Sequence, residues 1–457
     1  MSNLPAPEPT PLLDPLFTTD AMRQVFSDRH RLQGMLDFEA ALARALAAVG
    51  MAPRDASAAI ESKCRAELFD LESLARATAL SGNVAIPMVK ALSELVAKSD
   101  SRAADFVHWG ATSQDAIDTG LVLQLREALD LIDTDLAHLS ASLARLATAQ
   151  KAALVPGRTW LQQGPPITFG LNAAGWLAAM ERHSERLARA RQQVSVLQFG
   201  GAVGTLAALG DRGLPIAAAL ARDLKLDLPG LPWHAHRDRL AEIAAALGLL
   251  VGSLGKIARD ISLMSQTEID EVVEPAGPGR GGSSTMPHKR NPVSSAVILA
   301  AALRVPALVS IILTSMVQEH ERGLGGWHAE WETLPDIFRL TAGALAHTKE
   351  VVAGLEVHPE KMLENVNVTH GLVLAEAVAF ALREHIGKEK SHTIVEEAAR
   401  RAARDGRDFA EVLLSYPEVR SNLSAAELSR LLDPANYLGS ALEMTDKALS
   451  ARTGAKK

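Results

Sequence analysis

The chain has 457 residues, a formal net charge of −7 and a single cysteine. That length calls for two or three domains, the charge argues against bulk nucleic-acid or polybasic membrane binding, and the lone Cys64 excludes an intrachain disulfide framework and fits a reducing cytosol. Apolar residues make up 47% but aromatics only 4%, so the core is built mainly from Ala, Leu, Val and Ile, a helix-bundle composition.

In chain order, residues 1–15 form a proline-rich arm without the apolar run of a signal peptide. Leu32, Met35, Leu42, Leu46 and Val49 form an apolar helical stripe that stops at Gly50, a suitable residue just past a helix end. Leu125, Leu129, Ile132, Leu136, Leu139, Leu143 and Leu146 alternate by four and three. So do Leu240, Ile243, Leu247, Leu250, Leu254, Ile257, Ile261 and Met264. These are seams of helices about 45 Å long or more, with Gly248, Gly252 and Gly255 set for close helix approach. The apolar run Ala296–Val317 approaches membrane-spanning length, but Arg304 and Pro306 interrupt it. It reads as a buried core helix kinked at Pro306. No alternating strand is evident. Boundaries near 118 and 365 give an N-terminal helical domain (1–118), a central long-helix region (119–365, with a glycine-rich loop at 275–292) and a C-terminal helical domain (366–457) whose tail, 453–457, is frayed. Helices this long and apolar call for oligomerisation.

Four segments bear chemistry. His108-Trp109-Gly110-Ala111-Thr112-Ser113-Gln114-Asp115 precedes the first long helix, and Thr112 with Asp115 has capping-box spacing. Gly157-Arg158-Thr159-Trp160-Leu161-Gln162 follows that helix. Gly281-Gly282-Ser283-Ser284-Thr285-Met286-Pro287-His288-Lys289-Arg290-Asn291-Pro292 joins flexible backbone, hydroxyls and cations to a helix start, with Asn291 as N-cap and Pro292 as first helical residue. A helix N-terminus there suits an anion. The fourth segment runs from His320-Glu321-Arg322-Gly323 to Leu334-Pro335-Asp336. Four of the six tryptophans, Trp109, Trp160, Trp327 and Trp331, lie in these segments and suggest a compact pocket, whereas Trp176 and Trp233 read as core. No His, Cys and carboxylate cluster has metal-site spacing, so neither metal nor cofactor is expected.

The loop matches the pattern G-S-S-x-M-P-x-K-x-N and resembles the fumarase/aspartase superfamily. Trp160, the stretch Trp327–Glu332 and Phe26–Met35 resemble, within it, the bacterial 3-carboxy-cis,cis-muconate cycloisomerase family, as do Leu197–Ala202 and Leu431–Pro434. The resemblance implies an all-α chain of three helical domains, with a central bundle of five long helices forming a twenty-helix core in a homotetramer. Active sites there draw on three chains. It implies a cytoplasmic enzyme of protocatechuate degradation (the β-ketoadipate pathway), with a small tricarboxylate substrate and no nucleic-acid or membrane partner.

Lyases of the superfamily that act on succinyl adducts have R-T-H-x-Q, with the histidine as general acid; here that position is Trp160. In the reverse direction the cycloisomerase reaction expels a carboxylate, which at a pKa near 4 departs without a proton. A general acid at 160 then has nothing to do. The resemblance implies Ser283 as the group exchanging the carbon-bound proton, and the sequence does not separate it from Ser284. Lys289 supports its alkoxide and, with Asn291, holds the carboxylate that becomes the aci-anion. His108, Thr112, Ser113, Arg158, Thr159, Trp160, Gln162, Met286 and Arg322 complete the expected binding set. Two alternatives remain. One is an adenylosuccinate- or argininosuccinate-type lyase, disfavoured by Trp160 and by Leu16-Phe17 standing where an Arg-Tyr phosphate contact is found. The other is a non-catalytic structural tetramer.

Overall fold

The computed structural model describes residues 11–277, 281, 282, 285, 286 and 288–454. The outer part of the N-terminal arm, Ser283, Ser284 and the last tail residues lie outside the described residues. The chain is predominantly helical, and its long elements are α1 (Asp28–Ala48), α2 (Ser113–Ala149), α3 (Phe169–Val194), α4 (Asp238–Met264), α5 (Val293–Ser315) and α6 (Gly326–Gly354).

Sequence explains the ends and faces of these helices. The Ser27 hydroxyl caps α1 by accepting from His30 N at 3.3 Å. After α1, Gly50 turns the chain away at φ 76°, where a side chain would be strained. In α2, at 37 residues about 55 Å long, the seam Leu125, Leu129, Ile132, Leu136, Leu139 and Leu143 is buried. All eight seam residues of α4 are buried as well. A Cβ on Gly255 would meet the Ala302 Cβ at 2.7 Å, and one on Gly248 the Val309 Cγ2 at 3.0 Å, so α4 and α5 approach as closely as the spaced glycines suggested. A Cβ on Gly252 would meet nothing within 4 Å among the described residues. Cys64 is a buried thiol whose acidity is suppressed, first by burial and then by Glu39.

Two expectations need correction. The run containing Arg304 and Pro306 is helical as α5, but it is not a buried core helix in the single chain: Leu303 is 81% exposed and Val317, just beyond it, 84%. By length and composition α4 and α5 could each cross a membrane. The chain is also not free of strands. An antiparallel hairpin pairs β1 (Leu154–Thr159) with β2 (Gln162–Thr168), and two short strands, β3 (Val272–Val273) and β4 (Glu356–Val357), pair antiparallel. Thr159 faces Gln162 across a two-residue turn made by Trp160 and Leu161, at φ 54° and 64°. Two positive φ values in a two-residue connection are the primed-turn geometry that fits strand twist, here adopted without glycine or asparagine.

The chain forms two compact units: Met1–Ala137 with His183–Gly255 and Val297–His347, and His138–Arg182 with Lys256–Ala296 and Thr348–Lys457. In the first, α1 and α2 cross where a Cβ on Gly34 would lie 2.9 Å from the Gly120 carbonyl oxygen. In the second, Val378, Leu382, Ala398, Phe409, Val412, Leu413 and Val419 centre a core of short C-terminal helices.

Candidate active site

The 108–115 segment belongs to the first unit and leads into the N-terminus of α2. Asp115 is fully buried there, and four donors saturate its carboxylate. Oδ2 accepts from Thr112 N at 3.0 Å and Gly201 N at 2.9 Å; Oδ1 accepts from Gly200 N at 3.0 Å and lies 2.7 Å from His234 Nε2. Only the acid-to-backbone half of the expected capping box is present. Its larger role is to tie the Gly200-Gly201 backbone against Thr112. Arg322 joins the same cluster, donating from Nε to Gln114 Oε1 at 3.0 Å and from Nη2 to the Ala202 carbonyl at 3.1 Å. His108, Thr112, Ser113 and Arg322 therefore gather around one helix start, with Thr112 and Ser113 half-buried. A helix N-terminus that carries two hydroxyls is a setting for a carboxylate.

His108 sits at φ 58° with Nδ1 2.6 Å from Oε1 of Glu39, which is 1% exposed. Burial is the largest influence on the imidazole and opposes its charge. The charge and hydrogen bond of Glu39, with Asp115 adding to them, outweigh burial and raise its pKa above the ordinary value. Beneath this layer Arg237, fully buried, donates to Asp118 at 2.7 and 3.1 Å and to Glu330 at 2.5 to 3.2 Å. Burial opposes its charge, but Asp118 and Glu330 outweigh it and raise its pKa, while burial raises the Glu330 carboxyl above the usual range. The Trp327 indole donates to Asp118 at 3.0 Å.

The second unit contains the other two motifs. Arg158, expected to help hold a substrate carboxylate, is ion-paired within its own unit. Nη1 and Nη2 donate to Glu271 at 2.8 and 2.6 Å, and Glu271 is fully buried. What the hairpin offers outward is its tip: Thr159, Trp160, Leu161 and Gln162 are exposed, Trp160 by 96% and Leu161 by 75%.

Three residues beyond Glu271 the chain leaves β3 at Glu274, whose buried carboxylate accepts from Ser294 N at 3.1 Å, Ser295 N at 2.8 Å and the Ser295 hydroxyl at 2.6 Å. The first-turn N–H groups of α5 are thus occupied by a protein carboxylate rather than left for an anionic ligand. The helix begins at Val293, two residues past the Asn291 expected to cap it. The loop is pinned at its base where Asn291 N donates to the Gly281 carbonyl at 2.9 Å. Arg290 also braces it, donating to both Glu356 oxygens at 2.7 Å and to the Glu274 carbonyl at 2.8 Å. Of the loop cations, Lys289 is exposed and has no ionic partner among the described residues. Met286 is exposed by 43%. The two serines, and with them the expected proton carrier, lie outside the described residues.

The chain matches a family model described as Lyase over residues 16–307, and one described as adenylosuccinate lyase C-terminus over residues 371–448. It is 56% identical over 450 residues to the 3-carboxy-cis,cis-muconate cycloisomerase of Pseudomonas aeruginosa, covering 98% of this chain and 97% of that one. The chain belongs to this cycloisomerase family of lyases. The 3-carboxy-cis,cis-muconate cycloisomerase of Pseudomonas putida is 54% identical over 417 residues, 91% of this chain and 99% of its own. The crystal structure of the 3-carboxy-cis,cis-muconate lactonizing enzyme from Pseudomonas putida matches with a TM-score of 0.93 at 52% identity, covering 98% of this chain and all of that one. The activity class is therefore that of a cycloisomerase, an intramolecular lyase.

The tryptophans of these segments have different surroundings. Trp327 is 3% exposed and packs edge-on against Trp331, with ring centroids 4.9 Å apart, and Trp109 packs on Phe106 at 5.3 Å. Trp160 stands out in solvent on its hairpin. Trp176 and Trp233 are core, as read. The residues missed from sequence are the buried partners Glu39, His234, Arg237, Glu271 and Glu274. One signal was available: the stripe Leu32, Met35, Leu42, Leu46 has its missing member at position 39, where a glutamate occupies an apolar seam.

Proposed function

We propose that the protein interconverts 3-carboxy-cis,cis-muconate and 4-carboxymuconolactone in protocatechuate degradation, as a cytoplasmic enzyme needing neither metal nor cofactor. The observation behind this reading is 56% identity over 98% of the chain with a cycloisomerase of that name. Trp160, where succinyl-adduct lyases hold a histidine acid, agrees with it. In lactonisation a substrate carboxylate oxygen adds to the diene, forming the ring C–O bond and leaving an aci-carboxylate. Ser283, or Ser284 beside it, delivers a proton to the carbon α to that carboxylate and is left as an alkoxide, to be reprotonated by solvent. With Glu274 filling the α5 N-terminus, Lys289 is the group that stabilises the alkoxide and, with Asn291, the aci-anion. His108, Thr112, Ser113 and Arg322 hold a second carboxylate. Thr159, Trp160 and Gln162 approach the substrate from a hairpin stiffened by Arg158, and Met286 lines the loop side.

In this reading the working form is a homotetramer of three-part chains (1–118, 119–365, 366–457), in which five long helices per chain build a common core and sites are shared among chains. The exposed apolar residues of α5 and the hairpin tip support it, since water is a poor environment for both. Arg304, midway along α5, favours a protein partner over lipid. Purified protein should remove the ultraviolet absorbance of 3-carboxy-cis,cis-muconate. The match of residues 371–448 to an adenylosuccinate lyase C-terminus makes adenylosuccinate the comparison substrate; its cleavage to AMP and fumarate, without loss of the muconate absorbance, would reverse the conclusion.

A further inference from the structure

Glu39 is a carboxylate in an apolar seam. It is 1% exposed, Oε1 accepts from His108 at 2.6 Å, and Oε2 has no hydrogen-bond partner among the described residues. A buried carboxylate with an unpaired oxygen is expensive unless a cation stands beside it, and the ion pair described for Glu39 is the one with His108. Because Nδ1 is engaged by Glu39, the imidazole presents Nε2 as its other polar atom. No protein partner for Nε2 is found among the described residues, and the side chain keeps 16% exposure. The same helix start holds Thr112 and Ser113. The groups facing the imidazole are Glu39 from α1 and Asp115 from α2, and Asp115 is already saturated by four donors.

We propose that Glu39 is a positioning residue that keeps His108 an imidazolium, so that its Nε2–H receives one carboxylate of the substrate at the α2 N-terminus. This rests on the tricarboxylate reading above, and it adds a residue no motif contains. The Gly34–Gly120 crossing, five residues before Glu39 on α1, brings the backbones of α1 and α2 close together.

The test uses the full-length protein and tricarballylate, a saturated tricarboxylate, with Kd measured at pH 6 and pH 8. Glu39→Gln preserves shape and an acceptor for Nδ1 but removes the charge. It should bind about as wild type does at pH 6 and about tenfold more weakly at pH 8, the loss of one charge-assisted hydrogen bond to the ligand. His108→Gln should bind weakly and with no pH dependence between those values, and it serves alone if Glu39→Gln does not fold. Equal loss at both pH values in Glu39→Gln, affinity like wild type at both, or a His108→Gln variant that keeps the wild-type pH dependence would each overturn the proposal, as would wild-type protein that binds no tricarballylate. Turnover of 3-carboxy-cis,cis-muconate is measured separately. Its absence beside intact, Glu39-dependent binding would strike the reaction assignment and leave this one standing.

Discussion

Arg158 and Glu271 form a two-point ion pair, at 2.8 and 2.6 Å, in which the carboxylate is fully buried; Asn365 donates to the same carboxylate at 2.9 Å. Removing only the arginine leaves a buried charge without its cation, which costs about 3–5 kcal/mol. Arg158→Ala should therefore lower the thermal midpoint as well as activity. Adding Glu271→Gln should recover much of the stability, because a neutral amide needs no counter-ion. Circular dichroism melts of both variants decide it: an Arg158→Ala midpoint equal to wild type would mean the pair contributes nothing to folding.

The His108–Glu39 pair makes stability depend on pH with a definite sign. The folded-state pKa of His108 is raised, by Glu39 acting against burial, so its contribution is fully present below the unfolded value of about 6.5 and fades as pH rises through the folded value. The stability gap between wild type and Glu39→Gln should be widest near pH 6 and narrower at pH 8.5. Urea unfolding at the two pH values measures it, and a gap that widens with pH would contradict the assignment.

Legibility from sequence followed physical range. The α4 seam was readable to the last residue because apolar periodicity is local, and every member from Leu240 to Met264 is buried. The β1–β2 hairpin was not, because its turn is Trp160-Leu161 rather than a glycine or asparagine pair and its strands contain three prolines and two glycines. The buried charges escaped for a different reason. Arg237 meets Asp118 and Glu330 across 119 and 93 residues of sequence, and Glu271 meets Arg158 across 113; no spacing rule reaches so far. The α5 run was legible as a helix, but its burial was not, since the single chain leaves Leu303 exposed.

That exposed face gives the assembly prediction. Leu303→Glu should shift the protein from tetramer toward smaller species in light scattering, because it puts a charge where the proposed interface needs an apolar side chain. Mixing a Gln162→Ala chain with a Ser283→Ala chain, each inactive, should restore part of the activity in hybrid tetramers. An unshifted Leu303→Glu tetramer, or no recovery after verified subunit exchange, would count against shared sites.

Position 160 tests the chemistry. A carboxylate leaving group needs no proton, so Trp160→His should gain no advantage in lactonisation even though it restores the residue of the succinyl-adduct lyases. The indole is 96% exposed at a turn with φ 54°, so shrinking it to imidazole leaves no cavity within the single chain and should change the thermal midpoint little. Its loss should appear as poorer substrate positioning, a higher KM or a lower kcat. Ser283→Ala should instead remove most of kcat, roughly a hundredfold or more as for loss of a positioned proton-transfer group, while tricarballylate binding and the tetramer persist. Steady-state kinetics on both variants, with light scattering and circular dichroism on the same samples, separate the two effects. A Trp160→His enzyme with clearly raised kcat would show that the leaving group does need an acid, and a Ser283→Ala enzyme near the wild-type rate would move the proton carrier to Ser284.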